Sequence, residues 1–390
     1  MVDGLKVKRG NGLGVRREFS LLEKEQRGKR ERGKTLFHKR IFLFLFVLVL
    51  FLLMMSVAKA RGWLIASDGE PVIKGNTIVL DSLTLEQKIG QMTVTLWLPE
   101  NVEAFHRMQI GGVHMFALES EQTFSDAITH VQEGASIPFF ITADAEGCIS
   151  PFENIRILAP LSSIHSVGAA YEKGFNDGEF MRKMGFNVNF APVVDLGDTI
   201  WRCRTFPGDE KQVATFAQAY VQGLQSQGLI ATAKHYPGKT LIGKDPHKFI
   251  VGEDIDAADV YPYVYLSQKG DVKSVMVSHV ITTGTADSNG VPSVVSPSVI
   301  ADLKKQYHGL IISDEIHMLG LEKFYSSLDE MYVAVFAAGN DVVLNFDKNP
   351  HELHRMISVV AAAVRDGRIS EEKIDVSVRK VLGAKGFVVE

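Results

Sequence analysis

Past residue 61 the chain alternates between two kinds of apolar pattern. Short, largely apolar runs fall at 91–96, 112–116, 139–143, 188–194, 229–234, 274–278, 310–313 and 341–345. Runs this short, with no polar alternation, predict strands covered on both faces, as in parallel sheets. Longer stretches with apolar residues at helical spacing lie between most of them. The clearest are 168–184, 212–227, 296–307 and 327–338, and another at 352–366 follows the last strand. Asp254 is placed to open a helix, and Ser296-Pro297 opens another with Pro in its first turn. Gly185, Gly228, Gly270, Gly309 and Gly339 each fall where a helix should stop. Eight strand–helix alternations in about 270 residues predict a (β/α)8 TIM-type barrel as a single catalytic domain. A doubly wound open sheet would carry a Gly-rich phosphate loop after its first strand, and the sequence has none.

The N-terminal part has a different character. Residues 1–40 hold 13 Lys/Arg against 5 Asp/Glu, so the net charge of −4 hides a clearly acidic remainder. Residues 41–57 are uncharged and almost wholly apolar. About 17 such residues can just span a hydrocarbon core, and the positive flank predicts a cytoplasmic N-terminus. Ala58-Lys59-Ala60 then resembles a small-x-small cleavage site. The expected organisation is a basic tail at 1–40, a signal h-region or membrane anchor at 41–60, and an exported barrel domain at 61–390. Cleavage and permanent anchoring both stay open. The basic tail is explained by membrane topology, so no nucleic-acid partner is expected. An exported protein permits a disulfide, but two cysteines define no framework; Cys148 and Cys203 are expected to be free thiols.

Polar groups gather just after the predicted strands. The third is followed by Asp144-Ala145-Glu146-Gly147, and the fourth by Asp195 and the loop Arg202-Cys203-Arg204. Lys234-His235 and then Asp245-Pro246-His247 follow the fifth, His279 the sixth, and Asp314-Glu315 the seventh. Buried charges need partners, and barrel chemistry sits at the C-terminal ends of the strands. Singly, each has a plain structural explanation: Asp195 as a loop cap, His279 as a core histidine, Glu315 as an ion-pair partner. Together they point to a site on one rim. No HExxH, Cys/His cluster or Gly-x-Ser-x-Gly elbow is present, and neither a metal nor an organic cofactor is implied. Several Asp, Lys, Arg and His residues suit a polyhydroxylated substrate, and an Asp with an acid partner suits retaining glycoside hydrolysis.

From about Leu83 onward the chain resembles glycoside hydrolase family 3, in particular its single-domain β-N-acetylglucosaminidases. The resemblance is carried by Leu83-Thr84-Leu85-Glu86-Gln87-Lys88-Ile89-Gly90-Gln91-Met92, Asn189-Phe190-Ala191-Pro192-Val193-Val194-Asp195, Arg204-Thr205-Phe206, Lys234-His235-Tyr236-Pro237-Gly238, Asp245-Pro246-His247 and Ser313-Asp314-Glu315-Ile316-His317-Met318, all in family order. It implies Asp314 as nucleophile, His247 as acid/base and Asp245 as the residue orienting that imidazole. It also implies Asp144, Arg204, Lys234 and His235 as the groups gripping the sugar, on a carbohydrate containing N-acetylglucosamine. The dyad loop would close over bound substrate. The chain departs from the family pattern in three places. Asp-x-Glu-Gly-Gly-Arg becomes Asp144-Ala145-Glu146-Gly147-Cys148-Ile149, Pro-Gly-His-Gly becomes Pro237-Gly238-Lys239-Thr240, and Pro246 stands between the dyad members. Pro246 restricts the backbone of Asp245 and could re-aim the dyad. His317 is expected to line a helix turn rather than the site. The main expectation is an exported, exo-acting, retaining β-N-acetylglucosaminidase acting on peptidoglycan fragments or chitin-type oligosaccharides. The alternatives are a β-glucosidase, a phosphorylase (a His acid does not repel phosphate as a carboxylate would), or a membrane-tethered glycan-binding barrel with weak catalysis.

Overall fold

A strand that is apolar on both faces must be covered on both, and a sheet closed on itself meets that demand with one interior and one outer layer. In the computed structural model, residues 24, 27, 38–56, 69–269 and 271–390 are described. Eight parallel strands form the barrel: β1 Thr93–Leu96, β2 Gly112–His114, β3 Phe140–Ala143, β4 Val188–Asn189, β5 Ile230–Tyr236, β6 Ser274–Val277, β7 Leu310–Ser313 and β8 Val343–Asn345. Their order runs β7-β6-β5-β4-β3-β2-β1-β8. The ring closes where Ile312 bridges Val342 and the Ser313 N–H donates to the Val342 carbonyl at 2.9 Å. All eight expected strands are present. The interior is filled by Val94, Phe140, Val188, Ile230, Met276 and Leu310 among others, and a larger apolar layer lies between strands and helices.

The helices are α1 Leu85–Gln91, α2 Val102–Arg107, α3 Glu121–Gln132, α4 Val167–Met184, α5 Glu210–Ser226, α6 Ala257–Lys269, α7 Pro297–Gln306, α8 Leu319–Glu322, α9 Leu328–Ala338, α10 Pro350–Arg365 and α11 Glu371–Ala384. Ser296 caps α7 by accepting the Val299 N–H, with Pro297 in the first turn as expected. Gly185 and Gly339 cap α4 and α9 in left-handed geometry. Two short sheets complete the fold. Ile73–Lys74, Thr77–Ile78 and Val388–Val389 form one; Gly252–Ile255 pairs in parallel with Ile281–Gly284 in the other.

Several expectations are corrected. Asp254 lies inside the strand Gly252–Ile255, and it is Asp256 whose carboxylate accepts the N–H groups of Ala258 and Asp259 at the start of α6. The fourth strand is only Val188–Asn189, with an isolated Val193–Lys234 bridge beyond it, because Pro192 has no N–H for a ladder. Cys148 and Cys203 are not free thiols but a disulfide. They are 55 residues apart, but the loops after the adjacent strands β3 and β4 meet at the barrel top, a proximity that sequence spacing does not display. Gly270, the Ala58-Lys59-Ala60 site and most of the basic tail lie outside the described residues.

Residues 1–64 form a unit separate from 65–390. Its described part holds the helix His38–Ser56, 19 residues with mean hydropathy 2.3, the one helix among the described residues long and apolar enough to cross a membrane.

Helices α4 and α5 meet backbone to backbone. A Cβ on Gly174 would lie 2.1 Å from the Tyr220 carbonyl oxygen, and one on Gly223 would lie 2.2 Å from that of Tyr171. Neither backbone can retreat without moving a whole helix. Gly223→Ala is therefore expected to destabilise the barrel by roughly 1–3 kcal/mol, read as a drop of several degrees in melting temperature. An unchanged melting temperature would contradict this packing.

Candidate active site

All seven residues singled out from the sequence line one cavity of about 530 Å³ at the C-terminal ends of the strands: Asp144, Arg204, Lys234, His235, Asp245, His247 and Asp314. Its floor is Phe190, Met276 and Leu344, which belong to the apolar interior of the barrel. Strand β5 delivers two neighbouring side chains to this cavity. In a regular strand, neighbours point to opposite faces. Here the register with β6 runs Ala233–Val275 and then Tyr236–Val277, so β5 carries one extra residue at this point. Such irregularities re-aim side chains beside active sites, and Lys234 and His235 both reach the cavity.

One wall is a cluster of four charges. The Lys234 ammonium lies 2.5 Å from Asp144 Oδ1 and 2.5 Å from Glu146 Oε1. Arg204 donates to the two oxygens of Glu146 through Nε at 2.7 Å and Nη2 at 2.8 Å. Burial opposes ionisation of Asp144, but Lys234, His114 and Arg204 together outweigh it and hold the carboxyl at about 2. Glu146 is held below its usual value in the same way, against burial, by Lys234 and Arg204. Burial works against the charge on Lys234 too, and the carboxylates of Asp144 and Glu146 more than offset it, raising its pKa. His114, at the end of β2, lies 3.6 Å from Asp144 Oδ2 and stacks on Phe346. Burial lowers its pKa to about 4, so the ring is neutral near pH 7. One edge of Asp144 stays open to the cavity, its side chain being 33% exposed.

The other wall carries the groups with reactive potential. Asp314 follows β7 directly, its N–H donating to the Val277 carbonyl at 3.0 Å and its Oδ1 accepting the Glu315 N–H at 2.8 Å. Burial pushes its carboxyl up, yet His279, His235 and His247 together hold it below the usual carboxylate value. An ionised carboxylate without a Lys or Arg partner remains available as a nucleophile. Asp245 Oδ1 accepts from His247 twice, from the backbone N–H at 3.0 Å and at ring Nδ1 at 2.7 Å. Pro246 thus leaves the dyad intact. With Nδ1–H donated to Asp245, Nε2 is left to give or take a proton. The dyad loop rests on the segment after Asp314: the Leu319 N–H donates to the His247 carbonyl at 3.3 Å. Trp201 meets the His247 ring edge-on at 5.9 Å.

Several contributors escaped the sequence reading of the site. Glu146 had been noted on the rim but is the hub of the charge cluster. His114 and the cavity-lining aromatics Phe116, Trp201 and Phe346 were not singled out, although Phe116 and Phe346 follow strands as the chosen residues do. Asp195 does not reach the cavity; it holds His235, accepting from Nδ1 at 2.8 Å. His279 is buried, its Nε2 bonding the Glu315 carbonyl at 2.7 Å. His317 faces Tyr332, with ring centroids 6.1 Å apart, rather than the cavity.

Residues 84–384 match the model of the glycosyl hydrolase family 3 N terminal domain. The chain belongs to glycosyl hydrolase family 3. One similar protein, from Cellulomonas fimi, is described as a beta-N-acetylglucosaminidase/beta-glucosidase and is 30% identical over 77% of this chain and 57% of its own. A beta-hexosaminidase from Tolumonas auensis is 27% identical over 63% of this chain and 78% of its own. Among solved structures, a family 3 beta-N-acetylglucosaminidase from Paenibacillus superposes with a TM-score of 0.72 at 28% identity, covering 78% of this chain and 62% of that one. The chain therefore spans little more than half of the Cellulomonas relative's length and under two thirds of the Paenibacillus structure.

Glu315 is the carboxyl most sensitive to neutral pH in this family 3 cavity. Burial pushes it up to about 7, against the N–H groups of His317 and Phe346 that it accepts and with the charge of Asp314 adding to the rise. Its ordinary pKa is about 4.3. A raised folded-state pKa stabilises the fold in full at pH below the unfolded value, and that stability is lost as pH rises through about 7. Glu315→Gln, permanently neutral, should match the wild type in thermal stability near pH 4 and exceed it at pH 8 by up to about 3 kcal/mol. A difference that stays constant across that range would refute the shift.

Proposed function

We propose that this family 3 barrel is an exo-acting, retaining β-N-acetylglucosaminidase. One observation carries the reading: an ionised, unpaired carboxylate, Asp314, and a hydrogen-bonded Asp245–His247 pair line the same cavity. Two carboxylates flanking a glycosidic bond would be the commoner arrangement; here the imidazole takes the acid role. In the first step Asp314 attacks the anomeric carbon, the bond to the leaving oxygen breaks, and His247 Nε2 gives its proton to that oxygen. In the second, His247 takes a proton from water, the water oxygen bonds the anomeric carbon, and Asp314 leaves. Asp245 holds the ring and steadies its charged form.

The charged wall of Asp144, Glu146, Lys234 and Arg204 suits sugar hydroxyls and an acetamido group through charge-assisted hydrogen bonds. The names of the Cellulomonas, Tolumonas and Paenibacillus relatives support the sugar. The floor of barrel side chains favours a chain end over a chain interior, hence exo action. The helix His38–Ser56, after a basic tail, supports export to the far side of a membrane, as a retained anchor or a removed signal. Outside the cytoplasm, peptidoglycan fragments and related oligosaccharides are the substrates within reach.

Hydrolysis of chromogenic β-GlcNAc and β-glucose glycosides by the full chain tests this directly. The wild type should turn over the GlcNAc glycoside, Asp314→Ala should lose essentially all activity, and His247→Ala should lose about 10²–10⁴-fold. Proton NMR should show the β-anomer as first product. Undiminished turnover by Asp314→Ala, or an α-anomer first, would overturn the mechanism. Preference for glucose, or release of a sugar phosphate when phosphate is added, would overturn the assigned reaction.

A further inference from the structure

Cys148 and Cys203 sit in two rim loops that come from different strands. Cys148 is two residues past Glu146 in the turn after β3, and Cys203 immediately precedes Arg204 in the loop after β4. Each loop has its own fixings. The N–H groups of Glu146 and Gly147 donate to the Ile149 carbonyl at 3.0 and 3.2 Å. Gly147, at φ +130°, lies so close to neighbouring chain that a Cβ would fall 2.4 Å from the Ala159 carbonyl oxygen. In the other loop, the Asp198 carboxylate accepts the N–H groups of Trp201, Cys203 and Arg204 at 2.8, 3.0 and 3.0 Å.

Among the described residues, three links join these loops: the Glu146–Arg204 ion pair, the Ser162 N–H donating to the Cys203 carbonyl at 3.3 Å, and the disulfide. The ion pair is buried, with side chains 1% and 7% exposed. Such a pair holds only while its partners stay in register, because separation leaves two desolvated charges unmatched. A covalent bond beside it limits how far the loops can part. Both cysteines are only partly buried and lie outside the two apolar cores, so the bond is placed at the rim rather than within the packing of the barrel.

We propose that the Cys148–Cys203 disulfide is a positioning element of the sugar site. It keeps Glu146 against Arg204, and through Glu146 it sets where Lys234 and Asp144 present themselves to substrate. This rests on the cavity being the sugar site as read above. Groups that grip substrate and transition state alike act on KM rather than kcat, so that is where the loss should appear.

The test compares the oxidised full chain with two forms that lack the bond. One is the wild type treated with dithiothreitol, which supplies two electrons and two protons to cleave the S–S bond into two thiols. The other is the Cys148→Ser/Cys203→Ser double variant. In both, KM for the β-GlcNAc glycoside should rise about tenfold while kcat stays within about twofold, and reoxidation of the wild type should restore KM. Amide hydrogen exchange should quicken in 144–149 and 198–204 and not in the barrel strands. Unchanged exchange in those loops overturns the proposal, as does a fall in melting temperature with KM unchanged, which would make the bond a staple of the fold alone. Exchange that quickens across the strands as well, in both forms lacking the bond, overturns it too. Absence of turnover by the oxidised wild type would instead sink the sugar assignment, and hydrogen exchange would still decide whether the disulfide positions the loops.

Discussion

The charge cluster of Lys234, Asp144, Glu146 and Arg204 is the constraint around which the top of the barrel is arranged. Lys234 is almost completely removed from water and is tolerable there only because two carboxylates lie at 2.5 Å. Removing one member of a buried set leaves an uncompensated charge, at a cost of roughly 3–5 kcal/mol. The four residues come from β5 and the loops after β3 and β4. Their mutual need for pairing therefore fixes three segments against one another, and the disulfide ties two of those segments a second time.

The cavity is divided by charge state. On the cluster side the charges are nearly neutralised among themselves, leaving mainly the open edge of Asp144 to meet a ligand. On the other side, no Lys or Arg among the described residues is bonded to Asp314, and the acid/base histidine proposed for it rests on a partly exposed loop. The proposed binding and chemistry thus fall in different environments: a largely buried, paired wall that resists reorganisation and a wetter edge where a proton can be exchanged. Preorganised charge of the first kind needs little rearrangement when substrate arrives.

Much of this was legible from the chain because buried parallel strands leave an unambiguous trace. The eight strands appeared as short, largely apolar runs, and the polar residues that follow Ala143, Ala233 and Ser313 together pointed to one rim. What stayed hidden was three-dimensional pairing. Cys148 read as a departure from a family motif, and nothing in a separation of 55 residues indicates that Cys203 is its partner. Asp195 and Glu146 looked like generic rim acids, although one orients His235 and the other joins Arg204 to Lys234. Asp254 misled because an acidic residue before an apolar stretch resembles a cap, while the true cap, Asp256, stands two residues later.

The floor of the cavity, formed by Phe190, Met276 and Leu344, has a consequence for traffic. Below it the barrel is filled with side chains, so nothing passes through to the far end. Whatever enters by the mouth must leave by the mouth. On the proposed reading, a sugar released at the floor would have to back out past the position of its leaving partner before the next molecule could enter. Occupants would then exchange in single file, with product and fresh substrate sharing one doorway.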